Sequence, residues 1–72
     1  MNTNILFNLG KNIKRYRLEC GLTQEKLAEK AKVHPTYIGK IELGMINPSV
    51  KRLFIISRAL NVKLTDIFDF DK

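Results

Sequence analysis

The side chains of this sequence suited to covalent or metal chemistry are few and stand apart: one histidine, His34, and one cysteine, Cys20. A lone cysteine excludes an internal disulfide and any multi-cysteine zinc site, and His34 has no metal-ligating neighbour at a suitable spacing. There is no Gly-rich phosphate loop and no convincing pair of carboxylates for acid–base work. The reading is therefore no catalytic residue, no metal and no cofactor, in a chain with little room for a substrate pocket. What remains is recognition by charge. Thirteen Lys and Arg against seven Asp and Glu leave a formal +6. Residues 66–72 hold Asp66, Asp69 and Asp71 against Lys72, a net −2, so residues 1–65, with twelve basic and four acidic side chains, carry +8. A basic body with an acidic end points to a polyanionic partner on one side and something else at the C-terminus.

The elements that must position these charges are helical. Apolar residues recur at helical spacing, nothing alternates cleanly with a period of two, and Gly21, Pro35, Gly44 and Pro48 cut the chain into short pieces. The first piece runs from about Asn4 to Cys20, with Ile5, Leu6, Leu9, Ile13, Tyr16 and Cys20 on one face; Leu18 is off-pattern. Cys20 reads as a small buried hydrophobe rather than a redox sensor. The second opens with Thr23 as N-cap and turns Leu27, Ala28 and Ala31 inward, with Val33 in the following turn. The third opens with Pro35 and ends near Leu43, before Gly44. At about 100° per residue, Ile38, Ile41 and Glu42 point one way and Thr36, Gly39, Lys40 and Leu43 the other. Ser49 caps a fourth helix with a stripe of Val50, Leu53, Ile56 and Leu60, flanked by Phe54, and a short fifth spans about Leu64–Phe68, with Ile67 and Phe68 packing back. The fold class is thus all-α, a compact bundle of five short helices, expected as one domain over residues 1–72. The second and third helices, about 24–32 and 35–43, have the spacing of a helix-turn-helix, which needs small or apolar residues at the crossing and a free outward face on its second helix.

The wording of the sequence narrows this. Leu9-Gly10, Ile13, Arg17, Gly21-Leu22-Thr23-Gln24-Glu25-Lys26-Leu27-Ala28, Val33, Tyr37-Ile38, Ile41-Glu42, Gly44, Asn47-Pro48-Ser49, Ala59-Leu60-Asn61-Val62 and Ile67-Phe68 closely resemble the Cro/C1-type (XRE) helix-turn-helix family. The resemblance covers residues 9–68. It implies the five-helix, lambda repressor-like fold, binding of double-stranded DNA and control of transcription. The small size also resembles the controller proteins of restriction–modification systems or a compact phage-type repressor.

The resemblance also implies residue roles. Thr36, Gly39 and Lys40 become the base readers: Lys40 offers donors to guanine O6 and N7, and the Thr36 methyl suits a thymine methyl. Tyr37, at the edge of that face, either packs on the DNA or is a half-buried core aromatic with a wet hydroxyl. Gln24, opening the second helix, is expected at a phosphate and as a buttress of the third. Arg17 and Glu42 are expected as a structural ion pair tying the first helix to the third. His34 either caps the third helix or touches a phosphate. One departure stands out: where the family often has basic residues after Glu42, this chain reads Leu43-Gly44-Met45-Ile46. That leaves Lys14, Asn47 and Lys51 as backbone contacts, and makes Leu43 and Ile46 either contacts to sugars or thymine methyls or, with the rest of residues 43–46, a patch for a protein partner. Ile55 lies on the far side of the fourth helix from Leu53 and Leu60, and with Leu64, Ile67 and Phe70 it is expected to form a two-fold homodimer interface. A second function class keeps the same fold and docks a protein, as an antitoxin would, through residues 43–46 or the C-terminal end. RNA polymerase or another protein is a further expected partner, a membrane is not, and the expected location is a reducing cytoplasm.

Overall fold

A computed structural model describes residues 4–70 and places five helices in order: α1 (Ile5–Glu19), α2 (Gln24–Ala31), α3 (Pro35–Glu42), α4 (Val50–Ala59) and α5 (Leu64–Ile67). Among the described residues there is no strand. Asp71 and Lys72 of the acidic end lie outside them. Local chemistry starts the four helices after α1. Thr23 Oγ1 accepts the Lys26 N–H at 3.0 Å and Ser49 Oγ accepts the Arg52 N–H at 3.1 Å, each satisfying one of the donors a helix start leaves open. Pro35 fills the first position of α3, where its missing N–H costs nothing. Asp66 reaches back from the first turn of α5 to accept the Lys63 N–H at 2.9 Å, so one carboxylate of the acidic end is a cap.

Helix ends are closed in the same way. Gly44, at φ 73°, lets its own N–H reach the Ile41 carbonyl and the Met45 N–H reach that of Lys40, which terminates α3. Between α2 and α3 the left-handed turn is taken by Lys32 at φ 59° rather than by a glycine, leaving a three-residue connection, Lys32-Val33-His34.

The core joins one stripe from each helix: Leu9 and Ile13, Leu27, Ala28 and Ala31, Ile38 and Ile41, Leu53, Ile56 and Leu60, and Ile67. α3 packs between α1 and α2, α4 closes over α2, and α5 bridges α4 and α1. Asn12 fastens that last contact, donating its amide to the carbonyls of both Ile67 and Asp69 at 3.0 Å. The closest approach is at Gly10, where a Cβ would stand 2.7 Å from the Glu42 carbonyl oxygen. That glycine sets the distance between α1 and α3.

Four expectations are corrected here. Ile67, expected at a dimer interface, is 0% exposed and belongs to the chain's own core, because the four-residue α5 turns it inward between α1 and α4. Val50 and Ile5, expected in the core, are 67% and 56% exposed: each occupies the first residue of its helix, at an open hollow that they line with Pro48 and Phe68. Cys20 is exposed, since it follows the last helical residue of α1, and its Sγ lies 3.4 Å from the Leu60 carbonyl oxygen.

Candidate nucleic-acid interface

The site is built from a buried ionic clasp outward. Arg17, on α1, meets Glu42, on α3, as a two-pronged pair: Nε donates to Oε2 at 2.6 Å and Nη2 to Oε1 at 3.1 Å. Nη1 donates to the Leu22 carbonyl at 2.8 Å, in the turn before α2. Gln24, the first residue of α2, donates its Nε2 to the same Glu42 Oε1 at 3.0 Å. Both charged side chains are buried, and among the described residues no buried side-chain nitrogen or oxygen lacks a partner. A buried pair so completely hydrogen-bonded fixes orientation more surely than it adds net stability. Here it locks the C-terminal end of α3 to α1, to the turn and to α2 at once. The two residues that the resemblance pairs are bonded to each other, and Gln24 bonds to the same carboxylate.

With α3 held this way, Ile38, Ile41 and Glu42 face inward and Thr36 and Lys40 stand exposed on the opposite side, with Gly39 half-buried beside them. Tyr37 is half-buried against the core, and the Arg52 guanidinium lies over its ring, 5.4 Å from the centroid. Tyr37 is therefore an edge residue whose ring is partly engaged within the chain. His34 caps α3: its Nδ1 accepts the Thr36 N–H at 3.1 Å, which in a neutral ring leaves the proton on Nε2.

The remaining expected contacts are not gathered in one place. Lys14 lies on the exposed side of α1, beside a shallow apolar concavity lined by Phe7, Leu18 and Leu43. Asn47 lines a different hollow, with Ile5, Pro48, Val50 and Phe68. Lys51 is exposed in the first turn of α4. Ile55, on α4, is exposed beside Phe54, Arg58 and Ala59, and Leu64 and Phe70 are half-buried against the core. Sequence reasoning missed Arg52 over Tyr37, Phe54 beside Ile55, and the grouping of Phe7 and Leu18 with Leu43. Arg52 over Tyr37 and Leu43 beside Phe7 and Leu18 join parts of the chain far apart in sequence, which no spacing along one helix encodes, whereas Phe54 is the sequence neighbour of Ile55 on α4. Among the described residues there is no cluster of His, Cys, Asp and Glu able to hold a metal, and no helix long and apolar enough to cross a membrane.

This geometry, a tight helical pair clasped from behind with a free outward face, has close counterparts. A helix-turn-helix family matches residues 13–67. The chain belongs to the Cro/C1-type helix-turn-helix family. The family is one of DNA-binding transcriptional regulators, not enzymes. The control protein C.BamHI of Bacillus amyloliquefaciens is 39% identical over 71 residues, covering 97% of this chain and 88% of that protein. The solved structure of the restriction–modification controller protein C.AhdI from Aeromonas hydrophila superposes with a TM-score of 0.86 at 28% identity, over 88% of this chain and 96% of its own. SinR, a Bacillus subtilis regulator whose structure in complex with DNA describes it as the master regulator for biofilm formation, is 39% identical with a TM-score of 0.81, over 85% of this chain and 98% of the solved one. The five-helix architecture read from the sequence is thus the fold these structures share.

Proposed function

We propose that this helix-turn-helix protein binds a roughly two-fold-symmetric operator in double-stranded DNA as a homodimer and regulates transcription from it. The observation that carries the reading is the outward face of α3: Thr36 and Lys40 are free to meet base edges while the Arg17–Glu42–Gln24 clasp holds the helix from behind. In this reading Thr36, Tyr37, Gly39 and Lys40 face the major groove. Gln24, Lys14, His34, Asn47 and Lys51 meet the backbone, with Arg52 added beside Tyr37. A two-fold axis through α4, using Ile55 with Phe54 and the flanks of Leu64 and Phe70, would place two copies of α3 in successive major grooves about 34 Å apart. Contact with RNA polymerase or another protein would set the sign of regulation.

Two variants test the parts separately. Replacing both Thr36 and Lys40 with alanine is expected to abolish preference for one duplex over a random pool while leaving the thermal transition unchanged, because both side chains are exposed. Selectivity equal to wild type would remove α3's outer face from the recognition. Ile55→Glu is expected to sediment as a monomer and to bind a symmetric site more weakly, since a charge on an apolar two-fold contact meets its own copy. An unchanged sedimentation coefficient would place the interface elsewhere.

A second reading rests on Leu43 and Met45, 68% and 63% exposed where the family often has basic residues. With Phe7 and Leu18 they would dock a protein, as an antitoxin does its partner, and binding there would not weaken steeply with salt as phosphate contacts do.

A further inference from the structure

Three of the chain's four glycines are explained within the molecule. Gly21 and Gly44 adopt φ of 72° and 73°, where other residues are strained, and at Gly10 any side chain would meet the backbone carbonyls of Ile41 and Glu42. Gly39 has no such reason. It sits inside α3, and the nearest atom to an added Cβ is Gln24 Oε1 at 3.5 Å, an ordinary contact with a side chain. Alanine would fit there and would make a better helix. A glycine that the fold neither requires nor favours occupies the outward face, next to Lys40 and one turn from Thr36 and Leu43.

We infer that Gly39 is the protein's point of closest approach to the operator, and that its missing side chain admits the C5-methyl group of a thymine. The inference rests on α3 being the recognition helix. Chemistry selects the group admitted. Gly39 has no side-chain donor or acceptor, and its carbonyl already accepts the Leu43 N–H at 3.1 Å, so it has no hydrogen-bond pattern to read with. The apolar feature of the major-groove edge is the thymine methyl. Thr36 and Leu43, both exposed, stand on either side of the notch along the helix and supply apolar walls, while Lys40 beside it keeps its donors for a neighbouring base.

The test uses the full chain and an operator recovered by selection, with each thymine of a half-site replaced in turn by deoxyuridine, which removes only the methyl. One position is expected to weaken wild-type binding about three- to fivefold, the worth of one apolar carbon. Gly39→Ala is expected to melt at the same or a higher temperature and to bind the operator about tenfold more weakly, the cost of roughly one mismatched pair. It should be indifferent to uridine at that position, and its loss on random duplex should be smaller than its loss on the operator. Operator affinity equal to wild type, or undiminished sensitivity to the uridine, would overturn the inference. So would an equal loss on operator and random duplex, which would put Gly39 at the phosphate backbone. If the wild-type chain selects no duplex at all, the recognition-helix reading fails first and this inference falls with it.

Discussion

Glu42→Ala is expected to destabilise the folded chain by about 3–5 kcal/mol, the usual cost of removing one partner of a buried ion pair. The mutation strands the Arg17 guanidinium in a site where it keeps only the Leu22 carbonyl, and it takes the acceptor from the Gln24 amide. A domain of this size has a stability of roughly 4–11 kcal/mol, so the loss removes a large share of it and leaves the variant unfolding at much lower urea. Urea denaturation followed by circular dichroism measures the loss. The double substitution Arg17→Met with Glu42→Leu should recover much of it, because the stranded charge disappears along with its partner. A loss below about 1 kcal/mol for Glu42→Ala would mean that the pair behaves as a solvated surface bridge.

Gly10→Ala carries the second large effect. In an exposed helix this change stabilises by up to about 1 kcal/mol. Here the added Cβ would stand 2.7 Å from the Glu42 carbonyl oxygen and 2.8 Å from its carbon, and these are backbone atoms that no rotamer change can move. α1 and α3 must separate, which also pulls on the Arg17–Glu42 pair. Overpacking of this kind costs about 1–3 kcal/mol, and the rigid neighbours place the net loss near the upper end. The melting temperature should fall by about 10–20 °C. A melting temperature equal to or above wild type would show that the two helices are not in backbone contact.

The contrast between Gly10 and Gly39 also shows where sequence reading stops. The helical angle already set Gly39 among the outward residues of α3, but only the packed structure shows that Gly10 is walled in by the backbone of α3 while Gly39 has no more than the Gln24 side chain beside it. What lies within a helix's reach along the chain was legible: the caps at Thr23 and Ser49, the inward sets Leu27, Ala28, Ala31 and Ile38, Ile41, Glu42, and the outward Thr36 and Lys40. The Arg17–Glu42 pair, 25 residues apart, came with the family resemblance rather than from spacing. The misreadings fall at helix ends. Ile5, Val50 and Cys20 satisfy the apolar period but are exposed at or just beyond the ends of their helices, and Ile67, read both as packing back and as an interface residue, is wholly buried in the chain's own core. The αL turn at Lys32, lacking a glycine, carried no signal of its conformation, and the spacing of the flanking helices placed it instead.

The most direct measurement is selection of bound duplexes from a random pool by the wild-type chain, at low and at moderate salt. Enrichment of a two-fold-symmetric site whose affinity falls as salt rises is the expected result, since phosphate contacts release counterions and two copies of α3 read two half-sites. Recovery of no preferred sequence, with only weak and salt-sensitive binding, would contradict operator recognition by α3 and turn attention to a protein bound at Leu43 and Met45.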